Sequence, residues 1–318
     1  MSHIDFSRTA MGHSHTHALA LWRQFQTLEK ATGEISASAV IPERETSGKP
    51  LSRRSHGFSF AEIFVKPIIR LARRFGLYIT RDPSQLVYED HILRLFSTLK
   101  INCVLDVGSY QGEFAKWLRR IGFAGLIISF EPVTANFDIL EESRAEDTEW
   151  HAHRMALGAT RGTAEIRVFT GATFHSFLAP SDYGRARFPD KLQLERTESV
   201  QVERLDNILN QLVGGLEDPR IFLKVDTQGY DLEVIRGLGA EAGSISALQV
   251  EMAVTPIYDH VTNSFVDALS HLHQLGFQMS GMFPVSYAAG DDIRVVEFDC
   301  VMCRSDDSKA AAINEGAS

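Results

Sequence analysis

Cysteine is scarce: Cys103, Cys300 and Cys303 are the only three in 318 residues. That rules out a disulfide framework, and a chain of this length can bury a core without one. It also favours a reducing, cytoplasmic setting. Cys300 and Cys303 have the C-x-x-C spacing, but no second pair completes a zinc site. "VVEFDCVMCR" reads instead as a strand in which free Cys acts as a small hydrophobe. No metal site is expected. Long apolar runs are missing too: no stretch reaches the ~18 residues that span a bilayer, and the N-terminus has no uninterrupted segment of signal-peptide type. Basic residues are in deficit, 32 Lys plus Arg against 41 Asp plus Glu, for a net charge of −9. This disfavours nucleic acid as a partner, because phosphate contacts need basic patches. No internal repeat is visible.

What is present divides the chain. Residues 1–57 read as a flexible or partly helical extension, with a short helix around His17–Lys30 and a linker rich in Ser, Pro, Gly and charge. The His13, His15 and His17 cluster has no carboxylate or Cys nearby in sequence to make a metal centre. Residues 58–87 form an amphipathic segment. Phe60, Ile63, Phe64, Ile68, Leu71 and Phe75 recur at helical spacing opposite Lys66, Arg70, Arg73 and Arg74, with a break expected at Pro67. Such a helix would lie on the catalytic domain, on a second subunit in a homo-oligomer, or against a membrane surface through 58–76. A domain over 88–304 and a flexible tail over 305–318 complete the chain.

Within 88–304 strands and helices alternate. "CVLDVG", "GLIISFEP", "IFLKVDTQG" and "ALQVEMAV" read as buried strands, each followed by a helical stretch, and Gly122 closes the first such helix. "TEWHAHRMALG" and "TAEIRVFTG", joined at Thr160–Gly162, read as an antiparallel excursion. "QMSGMFPVSYA" and "IRVVEFDCVMCR" have no helix between them and so must pair antiparallel. Repeated strand–helix units call for an α/β fold: a mostly parallel sheet, helices on both faces, and an antiparallel C-terminal hairpin. Ligands bind such sheets at the carboxyl ends of the strands.

Two strand ends carry acids. Asp106 precedes a turn bearing Gly108 and Gly112, whose missing Cβ atoms let backbone approach a ligand. Tyr110 replaces the middle glycine of a G-x-G-x-x-G phosphate loop, and Asp106 would repel a pyrophosphate. An ammonium group suits Asp106 better, as in S-adenosylmethionine, which has an amino-acid end and a sulfonium. Glu131 lies 23 residues beyond Gly108 and is placed to accept hydrogen bonds from ribose hydroxyls. A dehydrogenase would use Glu131 the same way, so it is the combination with Asp106, the shortened glycine pattern and the antiparallel end that discriminates.

"VLDVGSYQGEFAKWLRRIGFAGLIISFEP", "MALG", "VERLDNIL", "FLKVDTQGYDLEVIRG" and "LQVEMAVTPIYD" together resemble the FkbM family of S-adenosylmethionine-dependent methyltransferases. The Lys-x-Asp-x-x-Gly-x-acid core in "KVDTQGYD" is the most specific part. The resemblance implies a Rossmann-like class I methyltransferase with a seven-stranded sheet, and O-methylation of a sugar, glycan or natural-product hydroxyl. It places Asp106, Gly108, Ser109, Tyr110 and Gly112 at the methionine end of the cofactor, Glu131 and Pro132 at the ribose, and Ala156 and Leu157 along the adenine. Two departures are visible. Ser109-Tyr110 stands where many members have Ala-Asn, and Gln228 where a Glu is frequent.

Methyl transfer to oxygen is an in-line displacement that needs a positioned hydroxyl and an acceptor for its proton. Asp226, at a strand end, is the first choice for base or orienter. Lys224 shares its face of the strand, and Glu251 is expected to end the next strand and orient the substrate. His175 is a further proton acceptor near neutral pH. Ser176 matches the family's small hydroxyl residues there, and Tyr258 reads first as packing. The rival readings are a non-catalytic cofactor-fold interaction module and a nicotinamide-dependent oxidoreductase.

Overall fold

The computed structural model describes residues 83–259, 264–290 and 293–304. The N-terminal extension, the amphipathic segment through residue 82, the C-terminal tail and Asp291-Asp292 of the last turn lie outside them. Among the described residues no helix is long and apolar enough to cross a membrane.

Helix α1 (Pro83–Leu99) opens on a proline, whose missing N–H is no loss at a helix start. It spans the expected boundary at Tyr88. Then follow β1 (Cys103–Val107), α2 (Glu113–Ile121), β2 (Leu126–Phe130), α3 (Thr134–Arg144) and β3 (Trp150–His153). After β4 (Ala156–Leu157), β5 (Gly162–Phe169), α4 (Asp182–Arg187), β6 (Leu194–Glu203) and α5 (Leu205–Val213) come β7 (Ile221–Val225) and α6 (Asp231–Arg236). The chain ends with β8 (Ile245–Ala253), α7 (Phe265–Gln274), β9 (Phe277–Tyr287) and β10 (Val295–Arg304). Gly122 ends α2 with φ of 100°, the left-handed cap that glycine takes without strain.

The main sheet has seven strands in the order β3-β2-β1-β7-β8-β10-β9, and only β10 runs against its neighbours. This is the Rossmann-like class I methyltransferase topology. β1, β2 and β7 are buried at every position, which is why they read as apolar runs without alternation. Residues 103, 105 and 107 of β1 pack toward α5, α6 and α7. Val104 packs on the opposite face with α1 and α2. Cys300 and Cys303 belong to these two opposite cores, as a strand spacing of three requires.

The excursion differs from expectation. Strands 150–157 and 162–169 do not pair with each other. β3 joins the main sheet, and β4 turns away into a second sheet of order β4-β6-β5. β6 is ten residues long and separates the two, parallel to β4 and antiparallel to β5. Glu251 does not end its strand, because β8 continues to Ala253 and pairs there with Glu297 of β10.

Candidate active site

Strand register sets the polar face of the site. Asp106 pairs with Lys224, and Lys224 with Gln249, so three polar side chains stand abreast on β1, β7 and β8 at one level of the sheet. One step nearer the carboxyl ends lie Asp226 and Glu251, with Asp299 opposite Glu251 on β10. Lys224 Nζ is 3.2 Å from Asp226 Oδ2 and 3.6 Å from Asp106 Oδ1. Burial would pull the lysine down, but Asp226, Asp106 and Asp299 hold it above its ordinary value. Burial pushes Asp106 up against the pull of Lys224.

A cavity of about 410 Å³ opens at the carboxyl ends of β1, β2 and β7. Gly108, Ser109, Tyr110, Glu131, Pro132, Ala156 and Leu157 all line it, as do Lys224 and Asp226. Glu131 is buried and accepts from the N–H of Tyr110 at 2.9 Å and of Val133 at 3.0 Å. Burial pushes its carboxyl up to about 7, opposed by those two amides. Tyr110 adopts φ of 52°, and its amide is thereby committed to Glu131.

Two expected cofactor residues are placed differently. Asp106 is fully buried behind the turn, beside Lys224, and is not part of the cavity wall. Gly112 is not part of it either. A Cβ there would lie 2.6 Å from the Trp150 ring and 2.8 Å from Leu140, so its glycine answers to packing. Gly108 lines the cavity, but a Cβ on it would meet the Asp226 carbonyl at 1.9 Å, and its φ is 76°. The close approach that Gly108 permits is therefore between β1 and β7.

The three residues expected to be catalytic divide in the same way. Lys224 and Asp226 face the main cavity, while Glu251 faces a smaller one with Asp231, Tyr258 and Glu297. Gln228 links the two by donating to Asp226 Oδ1 at 3.1 Å and to Glu251 Oε2 at 3.2 Å. Burial, and then the charge of Asp226, holds Glu251 well above the usual carboxylate range. Asp299 is pushed up to about 6 by burial and by Asp226. His175 lines the main cavity, yet its Nδ1 accepts from the Phe169 amide at 3.2 Å, and burial lowers its pKa. The neutral ring then carries its proton on Nε2 and is a donor to the cavity, not a base. Ser176 Oγ is engaged with the Gln228 carbonyl at 2.7 Å and the Leu178 amide at 3.0 Å, so its role is to hold the loop. Sequence reasoning missed Glu297 and Asp299. Acids at alternate positions of an otherwise apolar strand, "EFDC", were the available signal.

Residues 106–279 match the family model described as the methyltransferase FkbM domain, more than half of the chain. Methyltransferase sdnD of Sordaria araneosa is 24% identical over 200 residues, covering 54% of this chain and 75% of the relative. Methyltransferase 1 of Beauveria bassiana is 25% identical over 191 residues, covering 56% and 72%. Among solved structures, the O-methyltransferase TomG from Streptomyces achromogenes, in complex with SAM, has a TM-score of 0.38 at 14% identity, covering 77% of this chain and 94% of that one. Aeropyrum pernix fibrillarin with bound S-adenosyl-L-methionine has a TM-score of 0.35 at 11% identity, covering 63% and 66%.

Proposed function

The chain belongs to the FkbM methyltransferase family, and from that membership we propose that it transfers the methyl of S-adenosylmethionine to a hydroxyl of a sugar, glycan or natural product. The observation that carries this reading is that Glu131, at the end of β2, and Asp226, just beyond β7, share one cavity. The residues present fit the cofactor. The two Glu131 oxygens are aimed by backbone amides, which leaves lone pairs for a ribose. Ala156 and Leu157 offer an apolar wall suited to an adenine. When bound, S-adenosylmethionine supplies a methyl group activated by an adjacent sulfonium.

The chain's own residues then have three tasks. Asp226 is the base: its carboxylate, partly exposed in the cavity, accepts the hydroxyl proton. Lys224 holds Asp226 Oδ2 at 3.2 Å and so fixes that oxygen in place. Glu251, tied to Asp226 through the Gln228 amide, orients the acceptor side. Positioning by such a wall can supply several kcal/mol of barrier lowering.

Two measurements test the reading. Calorimetry with S-adenosylmethionine should give binding with one site per chain, and no binding by a well-folded sample would favour the non-catalytic module. Incubation with cofactor labelled in the methyl group and an extract of glycans and small molecules should then yield a labelled ether stable to alkali. Label found only on nitrogen, carbon or a carboxyl would rule out hydroxyl transfer.

A further inference from the structure

Gln228 stands between the two cavities, and both ends of its amide are used. Nε2 lies 3.1 Å from Asp226 Oδ1 and 3.2 Å from Glu251 Oε2. Oε1 lies 3.0 Å from the Tyr258 hydroxyl, which also reaches the Phe174 carbonyl at 2.8 Å. Chemistry fixes the amide's orientation, because the reverse would set a carbonyl oxygen against two carboxyl groups. The backbone is held as well. Its φ is 55°, which a residue with a side chain rarely adopts, and Ser176 donates to its carbonyl at 2.7 Å. On the other side of Asp226, Oδ2 takes Lys224 Nζ at 3.2 Å. The carboxylate is thus gripped at both oxygens.

We propose that Gln228 is the positioning residue of the acceptor site: its NH₂ ties Asp226 to Glu251, fixes the Asp226 plane against Lys224, and leaves the remaining lone pairs for an acceptor hydroxyl. This rests on the O-methyltransferase reading. An amide makes the tie without adding charge to a crowded site. Asp106 on β1, Asp231 on α6, and Glu297 and Asp299 on β10 also face this cluster, with Tyr258 from the loop, and Lys224 is the cation that answers them. A glutamate at position 228 would bridge only while it held a proton, so Gln228→Glu makes a non-titrating tie into a titrating one.

The pH–rate profile of methyl transfer, with the acceptor found by labelling, is the first readout. Gln228→Ala should lower kcat by at least ~10-fold at every pH and leave the KM for cofactor within about twofold. Gln228→Glu, nearly isosteric and the variant to rely on if the alanine form does not fold, should add a descending alkaline limb that the native chain lacks. A Gln228→Glu profile parallel to the native one, or an alanine effect confined to cofactor KM, overturns the proposal. The second readout needs no acceptor. Crystal structures of the native chain and of Gln228→Ala are compared. The native Asp226 carboxylate should keep the plane set by Lys224 and Gln228, and in Gln228→Ala it should turn away from Glu251. A carboxylate that keeps its plane and its Lys224 contact in Gln228→Ala overturns the positioning role even in an active enzyme. A displaced carboxylate in a protein that methylates no hydroxyl supports the tie and retires the O-methyltransferase reading.

Discussion

Lys224 Nζ faces Asp106 Oδ1 across the β1–β7 ladder at 3.6 Å, and among the described residues neither oxygen of Asp106 has a hydrogen-bond partner. A carboxylate so placed has given up its water and depends on one ammonium for compensation. Asp226 draws on the same ammonium at 3.2 Å. The lysine therefore serves two acids at once, a buried one and, in the proposed mechanism, the base.

Removing that cation should be costly. Lys224→Met keeps most of the buried volume but leaves Asp106 uncompensated, and we expect a loss of about 3–5 kcal/mol in urea unfolding at neutral pH. The same substitution in an Asp106→Asn background should cost markedly less, because the stranded charge is gone. A double-mutant cycle with no coupling between the two sites would show that Asp106 is not ionised in the native chain.

Gly108 gives a second test. Its φ of 76° and the 1.9 Å approach to the Asp226 carbonyl leave no room for a methyl group. Gly108→Ala must adopt a left-handed conformation and also push β7 away from β1. The two effects together should cost about 2–4 kcal/mol. Cofactor affinity should fall as well, because the Ser109-Tyr110 turn that follows lines the cavity. Near-native unfolding with lost binding would mean instead that the glycine serves the ligand alone.

The parts of the fold that could be read in the sequence are those governed by local pattern. Buried strands such as "CVLDV" and "IFLKV" announce themselves by apolar runs, and the helices after them by spacing. That Glu131 and Asp226 lie at strand ends was accessible for the same reason, and both line the cavity there. The excursion was not, because β4 and β5 are neighbours in sequence yet pair through β6, some thirty residues further on. Such pairing is a long-range choice that turn residues do not encode. Gly112 could not be resolved from sequence, because a ligand and the Trp150 ring make the same demand for a missing Cβ. Gln228 looked like a weakened acid until its two carboxyl partners, one on another strand, were brought within 3.2 Å.

Asp226→Asn separates binding from chemistry. The amide preserves shape and keeps a carbonyl oxygen for Lys224, but it cannot take a proton. We expect transfer to fall roughly 10²–10⁴-fold, the usual contribution of a general base. Cofactor affinity measured by calorimetry should change only a few-fold, since Glu131 and the adenine wall are untouched. Retained turnover in this variant would move the base elsewhere, and the donor-only His175 would not be the first place to look.

Glu131 makes the site sensitive to pH in a direction that can be worked out. Burial raises its carboxyl from an ordinary 4.5 to about 7 in the folded chain, with the Val133 and Tyr110 amides opposing. Between those values the native state holds a proton that the unfolded chain has released. This contribution to stability is therefore complete below about 4.5 and is lost as pH rises through about 7. Glu131→Gln should flatten that part of the curve of melting temperature against pH. Binding runs the opposite way. Ribose hydroxyls need an ionised acceptor, so the cofactor must expel the proton below about 7, and its dissociation constant should rise toward about tenfold per pH unit there. Calorimetry in buffers of different ionisation enthalpy would report the proton released, and the release should vanish in Glu131→Gln. An affinity independent of pH from 5 to 8 in the native chain would place the ribose away from Glu131.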